Sequence, residues 1–139
     1  NKEIITERKR YMATLKYSRQ RESIKEFLMT RKDHPTADVV YENIKKIYPN
    51  MSLGTVYRNL SFLSEIGEIQ KLSNFGGADH FDGCVTPHCH FMCKECGQVL
   101  DLETEDLNSL AEKAAKNFPG KISDCDIRFF GICPKCVNK

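Results

Sequence analysis

Cys93-x-x-Cys96-Gly97 and Cys133-x-x-Cys136 are two cysteine pairs separated by 36 residues. A two-residue gap lets one turn aim both thiolates at a single ion. Two such turns supply four soft ligands, which tetrahedral Zn²⁺ accepts at about 2.3 Å. A closed set of four leaves no open coordination position, so the chemistry expected here is structural. Such a zinc would staple the end of the chain back onto the start of a small domain with little core of its own. The rival readings are an iron–sulfur cluster or a thioredoxin-like redox pair, although the βαβ setting of the latter is missing around either pair. Cys84, Cys89 and Cys125 lie outside the pairs. They read as ordinary small residues, with a sensing thiol as the alternative.

A second group carries harder ligands. His88-x-His90 falls in a stretch that reads as a strand, where residues i and i+2 share a face, so both imidazoles can meet one cation. Asp82 precedes them and Asp101 falls on the following strand. Nitrogen and oxygen ligands of this kind suit Fe²⁺, Mn²⁺ or Zn²⁺. Taken by itself the pair reads equally well as two exposed strand histidines. His34 lies in a helix break far upstream, and spacing alone does not attach it to this set. His80 reads as a surface residue.

The elements that must position these groups differ between the two halves. The first half is helical. Ile24, Phe27 and Leu28 share a face of a helix running to about residue 30, and His34-Pro35-Thr36 then breaks the chain, with Thr36 as an N-cap. Val40, Tyr41, Ile44, Ile47 and Tyr48 form the next helical stripe, ended by Pro49. Ser52 caps a third helix whose Leu53, Val56, Leu60 and Leu63 line one side and whose Thr55, Tyr57, Arg58, Asn59 and Ser61 line the other, with Gly67 at its end. Ile69–Leu72 and a segment near His80–Phe81 flank Asn74-Phe75-Gly76-Gly77 and read as a two-stranded wing with a glycine-rich tip. Three helices and a wing are the order of a winged helix-turn-helix. The second half reads as strands over 88–93 and 98–102, a helix over Leu107–Phe118 closed by Pro119-Gly120, and a last strand over 122–130. The class is α+β, with the boundary near residues 76–82.

Composition narrows the function. The chain has 139 residues, enough for two small cores, and no apolar run approaches the ~18 residues of a membrane span. Residues 1–10 carry charge but no apolar stretch, so no secretory signal is read and a cytoplasmic protein is expected. Residues 1–77 hold 14 Lys/Arg against 9 Asp/Glu, a net of +5, whereas residues 78–139 hold 7 against 10, a net of −3. A basic, polar-faced helix bundle fits contact with phosphates. A zinc-dependent enzyme built on His88, His90 and Asp101 is the remote alternative. It lacks a recognisable base or nucleophile beside the cluster.

The motifs in order resemble the ferric uptake regulator family. They are His34-Pro35-Thr36-Ala37-Asp38, then Ser52-Leu53-Gly54-Thr55-Val56-Tyr57-Arg58-Asn59-Leu60, then His88-x-His90-x-x-Cys93-x-x-Cys96-Gly97, then Gly131-x-Cys133-x-x-Cys136. The resemblance runs from about Tyr17 to Cys136. It implies a winged-helix DNA-binding domain over 1–77, a hinge over 78–82, and a small α/β dimerisation and metal-binding domain over 83–139. It implies a homodimeric repressor of pseudo-palindromic double-stranded operators, not an enzyme, with no membrane and no small-molecule substrate beyond peroxide as a signal. Ser52, Thr55, Tyr57, Arg58 and Asn59 are its candidate DNA-contacting residues. Cys93, Cys96, Cys133 and Cys136 match the family's structural zinc site. His34, Asp82, His88, His90 and Asp101 match its regulatory site, for Fe²⁺ or Mn²⁺. Aspartate at both 82 and 101 is similar to the peroxide-sensing branch, in which His34 and His88 match the positions that become oxidised. An iron- or zinc-responsive uptake repressor of the same family is the alternative. A further family metal site begins with a His-His-Asp-His run, and Pro87-His88-Cys89-His90 lacks two of its positions.

Overall fold

Three helices pack around one apolar cluster in the computed structural model, which describes residues 3–6, 18–73, 77–86, 88–103, 107–123 and 125–139. Helix α1 (Arg19–Met29) starts where the Ser18 hydroxyl accepts the Arg21 backbone N–H at 3.2 Å. That bond satisfies one of the orphan donors of the first turn. Helix α2 (Ala37–Ile44) follows the Pro35 break. Thr36 occupies the N-cap position as expected, but its side chain makes no capping hydrogen bond. The α2 stripe is shorter than its sequence suggests. The helix stops at Ile44, the chain closes in turns such as Ile47 N–H to Ile44 C=O at 2.9 Å, and Ile47 is 64% exposed. Pro49 disfavours helix at Tyr48, so little helix could follow Ile47, and both Ile47 N–H and Tyr48 N–H turn back to the Ile44 carbonyl.

Helix α3 (Leu53–Glu65) is bounded as its residues predict. The Ser52 hydroxyl accepts the Thr55 N–H at 3.1 Å, and Gly67 at φ 77° closes the far end. Glu68 N–H donates to the Leu63 carbonyl and Gly67 N–H to that of Ser64. This pair of bonds defines a Schellman cap, whose left-handed position glycine fills without steric cost. Val56, Leu60 and Leu63 are buried against Ile24, Leu28, Val40 and Ile44.

Strand β1 (Gln70–Leu72) pairs antiparallel with β2 (His80–Asp82). The expected wing tip at Asn74–Gly76 lies outside the described residues. The stretch 78–82, expected as the hinge, contains β2, and Phe81 is buried in the helical core. Asp82 therefore stands with the helical half. Gly83, next in the chain, lies against the end of α1. A Cβ there would come within 2.7 Å of the Met29 nitrogen and 2.8 Å of the Leu28 carbonyl carbon.

Beyond it, β3 (Cys89–Cys93) is the middle of a three-stranded sheet. It is antiparallel to β4 (Val99–Leu102) and parallel to β5 (Arg128–Gly131), in the order β4-β3-β5. A parallel neighbour requires a crossover. Helix α4 (Leu107–Ala115) lies in that connection. The last strand, expected over 122–130, is confined to Arg128–Gly131. Its pairing runs along His90–Cys93, with one further bond from His90 N–H to the Ile127 carbonyl at 3.2 Å, close to where β3 itself starts at Cys89. Helix α5 (Pro134–Val137) ends the chain. Leu72 of the wing joins Met92 and Val99 of the sheet in a small cluster between the halves.

The fit at Gly83 yields a prediction. Gly83→Ala forces backbone to move against backbone and should cost about 1–3 kcal/mol in urea unfolding. Wild-type stability would show that this segment is not seated on α1.

Candidate functional site

The left-handed backbone of His34, φ 51°, is the one positive φ at a non-glycine among the described residues. Such a φ is uncommon for any residue with a side chain, although histidine, asparagine and aspartate adopt it more often than most. Pro35 excludes the right-handed helical region for the residue before it. The imidazole is thereby directed away from the helices and is 1% exposed. His34 Nδ1 lies 2.9 Å from the Val99 carbonyl oxygen on β4. A carbonyl only accepts, so the proton sits on Nδ1 and the neutral ring presents a lone pair at Nε2. His88 is oriented in the same manner, with Nδ1 at 2.6 Å from the Thr86 carbonyl. Imidazoles that ligate metals are characteristically held by such an outer hydrogen bond.

The lone pairs converge. His34 Nε2 lies 2.8 Å from Asp101 Oδ1 and 3.3 Å from Asp82 Oδ2. His88 Nε2 lies 2.8 Å from Asp82 Oδ2 and 3.0 Å from Asp101 Oδ1, and His90 Nε2 lies 3.0 Å from Asp82 Oδ2. One donor atom from each of the five residues falls within 4.8 Å of all the others. Unprotonated nitrogen facing carboxylate oxygen at these distances is repulsive, so positive charge must lie among them. Protons are one source. Burial opposes charging His34 and His88, yet it is outweighed and both pKa values rise: at His34 chiefly by the bond and charge of Asp82, and at His88 by the bond to the Thr86 carbonyl followed by the charges of Asp82 and Asp101. Asp82 is held far below the usual carboxylate range. Burial works against this, but hydrogen bonds from His34, His90 and the Cys84 backbone N–H prevail. A divalent cation is the other source, and five inward-facing nitrogen and oxygen atoms fit Fe²⁺, Mn²⁺ or Zn²⁺.

The ligands come from both sides of the molecule. His34 and Asp82 belong to the helical half, and His88, His90 and Asp101 to the sheet. β3 places His90 opposite Asp101 of β4. His88 falls just before β3 starts, and its ring lies 4.3 Å from that of His90. His80 is not the surface residue its sequence suggests. It is half-buried, and its Nδ1 lies 2.6 Å from the His34 carbonyl oxygen. No spacing signal in the sequence links those two positions.

The four cysteines form a second cluster, with all Sγ atoms within 4.8 Å. Cys96 Sγ and Cys133 Sγ are 3.7 Å apart. Two ligands of a zinc tetrahedron with 2.3 Å bonds stand about 3.8 Å apart. The first pair rides on a turn closed by Gly97 N–H to the Cys93 carbonyl, with Gly97 at φ 74°. The second rides on α5, where Cys133 is the N-cap and Pro134 the first helical residue. Backbone N–H groups of Cys96 and Cys133 lower the Cys93 pKa to about 6, whereas hydrogen bonding to Cys133 and burial push Cys136 up to about 12. Four ionised thiols so close would repel one another, and a divalent cation removes that repulsion. Of the cysteines outside the cluster, Cys89 is buried and Cys84 and Cys125 are exposed.

The polar face of α3 is partly committed. Tyr57 and Arg58 are exposed, and Arg58 Nη2 donates to Thr55 Oγ1 at 3.1 Å. The Ser52 hydroxyl serves the helix cap. Asn59 donates to the Thr55 carbonyl and accepts Arg21 Nε at 3.3 Å, which ties it to α1. Tyr57 and Arg58 are the exposed members of the candidate set not taken up by the helix cap or by α1.

A winged helix clasped to a second domain through one cluster of metal-ligating side chains defines a class, the winged-helix metalloproteins. More narrowly, the chain belongs to the ferric uptake regulator family, whose model matches residues 12–130. It is 33% identical over 120 residues to the peroxide operon regulator of Bacillus subtilis, covering 86% of this chain and 83% of the relative. It is 28% identical to the peroxide-responsive repressor PerR of Staphylococcus aureus, covering 91% and 86%. Among solved structures, the Campylobacter jejuni peroxide stress regulator matches with a TM-score of 0.76 at 32% identity, covering 84% of this chain and 88% of that one. The Helicobacter pylori ferric uptake regulator, described as having three functional metal-binding sites, matches with a TM-score of 0.77 at 25% identity, covering 97% and 93%.

Cys96→Ser should abolish retention of one zinc per chain through gel filtration and lower the thermal midpoint by well over 10 °C, because much of this half's order rests on the staple. Metal analysis of the purified variant checks it. A full zinc complement would remove Cys96 from the site.

Proposed function

We propose that this chain is a homodimeric, metal-dependent DNA-binding repressor that senses hydrogen peroxide. The observation that carries the reading is the convergence of His34 and Asp82 from one half with His88, His90 and Asp101 from the other. The similarity to peroxide-responsive repressors supports the choice of signal. In this reading the four cysteines hold a structural Zn²⁺, the five-residue cluster holds Fe²⁺ or Mn²⁺, and the protein works in the cytoplasm beside the DNA it reads. Among the described residues no helix is long and apolar enough to cross a membrane.

The switch follows from linkage. A ligand that binds only one arrangement stabilises that arrangement, and driving a two-state equilibrium from 1:99 to 99:1 needs ~5.5 kcal/mol of differential binding. Charge neutralisation at five convergent donors is a source of that size. A second copy completes the reading head. Leu110, Phe118, Phe129 and Phe130, all at least 45% exposed, give the second half an apolar surface suited to its own kind. Two α3 helices then enter successive major grooves about 34 Å apart. Arg58 and Tyr57 face the bases and phosphates there.

Bound Fe²⁺ supplies one-electron chemistry toward hydrogen peroxide that Mn²⁺ does not. The resemblance to the peroxide-sensing branch, not the geometry, marks His34 and His88 as the rings that would be oxidised, since His90 Nε2 faces the same cluster. An oxygen added to either ring weakens its hold and frees one half from the other.

Peroxide treatment of the Fe²⁺ form should therefore add one oxygen to the peptide carrying His34 or His88 and release operator DNA, while the Mn²⁺ form stays unmodified and bound. Peptide mass spectrometry decides. DNA release with unmodified histidines would overturn the sensing mechanism. Arg58→Ala should weaken operator binding by about 1–3 kcal/mol, and should lower the salt slope by about one if the contact is to phosphate. Zinc content and dimer mass should be unchanged. Binding titrations at several salt concentrations test this, and wild-type affinity would take Arg58 off the interface.

A further inference from the structure

The loop that carries His34 holds a left-handed backbone conformation that is uncommon for any residue with a side chain, and the brace for it comes from β2. This strand has two occupied edges. Along one it pairs with β1, and along the other it meets the His34–Thr36 segment. Thr36 bridges His80, and Phe81 N–H donates to the Pro35 carbonyl at 3.0 Å. The third link is from a side chain. His80 Nδ1 lies 2.6 Å from the His34 carbonyl oxygen, which can only accept, so the His80 ring donates. His80 and Asp82 are two apart on one strand and so share a face. One strand thus supplies a cluster ligand and, one repeat earlier, a clamp on the backbone of another ligand.

We propose that His80 is a positioning residue for the regulatory metal: its Nδ1–H holds the His34 peptide in its left-handed turn so that His34 Nε2 faces Asp82 and Asp101. Glycine, the usual occupant of such a backbone, has no ligand atom to offer, so the conformation at a histidine needs an external restraint. His80 is not one of the five convergent donors: its Nδ1 is spent on the His34 carbonyl, and among the described residues it belongs to no group placed to hold an ion. The inference rests on reading His34 as a ligand.

The test uses the full-length zinc-loaded chain and Mn²⁺ or Co²⁺ as the probe. His80→Ala should weaken Mn²⁺ binding about tenfold, the effect of one lost hydrogen bond to a well-placed acceptor. It should also alter the ligand-field absorption of Co²⁺ at this site. Zinc content, dimer mass and the metal-free thermal midpoint should stay at wild-type values. His80→Asn, whose side-chain N–H can reach the same carbonyl, should restore most of the affinity. Wild-type Mn²⁺ binding by His80→Ala, equal impairment of the Ala and Asn variants, or a metal-free midpoint that falls together with affinity would each overturn the proposal. His34→Ala separates the two levels. If it binds Mn²⁺ normally, the ligand reading fails and this inference with it. If it loses Mn²⁺ while His80→Ala does not, only this inference fails.

Discussion

Lone pairs pointed at one another govern this molecule. Three imidazole nitrogens and two carboxylates face inward from the helical half and the sheet half, and without positive charge between them they would push those halves apart. The same problem recurs at the cysteines, where four sulfurs sit within 4.8 Å. The two clusters differ in where their ligands are rooted. All four cysteines belong to the sheet half, on the turn after β3 and on α5, so a cation there consolidates one body. The histidine and aspartate cluster spans two bodies, so a cation there sets their relative pose. In the proposed reading, the structural and regulatory roles follow from that difference in rooting as much as from the softness of the donors.

Much of the scaffold was legible because its signals are local. The Ser52 cap, the Val56–Leu60–Leu63 stripe and Gly67 each act within a few residues, and α3 was readable from end to end. The paired cysteines were readable for the same reason, since a two-residue gap is itself the geometry of a ligand turn. Where tertiary pairing decides, the sequence ran ahead of the structure. The stretch before Arg128 reads as strand, yet β3 starts only at Cys89 and its ladder with β5 begins at the His90–Arg128 pair. Ile47 continues a helical stripe that the turns before Pro49 cut short.

The regulatory cluster was the least legible part. His88-x-His90 announces itself, but His34 stands 48 positions before Asp82. Nothing in spacing joins them, and only the family resemblance brought His34 in. Its place depends on a left-handed turn, a carbonyl on β4 and a ring on β2, each contributed by chain far away in sequence. His80 was invisible for the same reason. A hydrogen bond to a backbone carbonyl leaves no mark on the sequence of the residue that provides the carbonyl. Asp82 shows the converse. The sequence located it as a ligand candidate, but the pairing of β2 with β1 was needed to assign it to the helical side.

The apolar cluster of Leu72, Met92 and Val99 has a consequence for how the joint behaves. Three side chains between the halves contribute roughly 5–9 kcal/mol before ordering costs, at about 1.5–3 kcal/mol for each fully buried aliphatic side chain, and less once those costs are met. That is the same order as the differential binding an ion can provide. A broad greasy seam would lock the pose whatever the ion did, and an empty one would leave the ion to organise everything alone. A seam this narrow works as a detent: firm enough to define where the wing stops, yet slight enough that the loss of one ligand lets it slip.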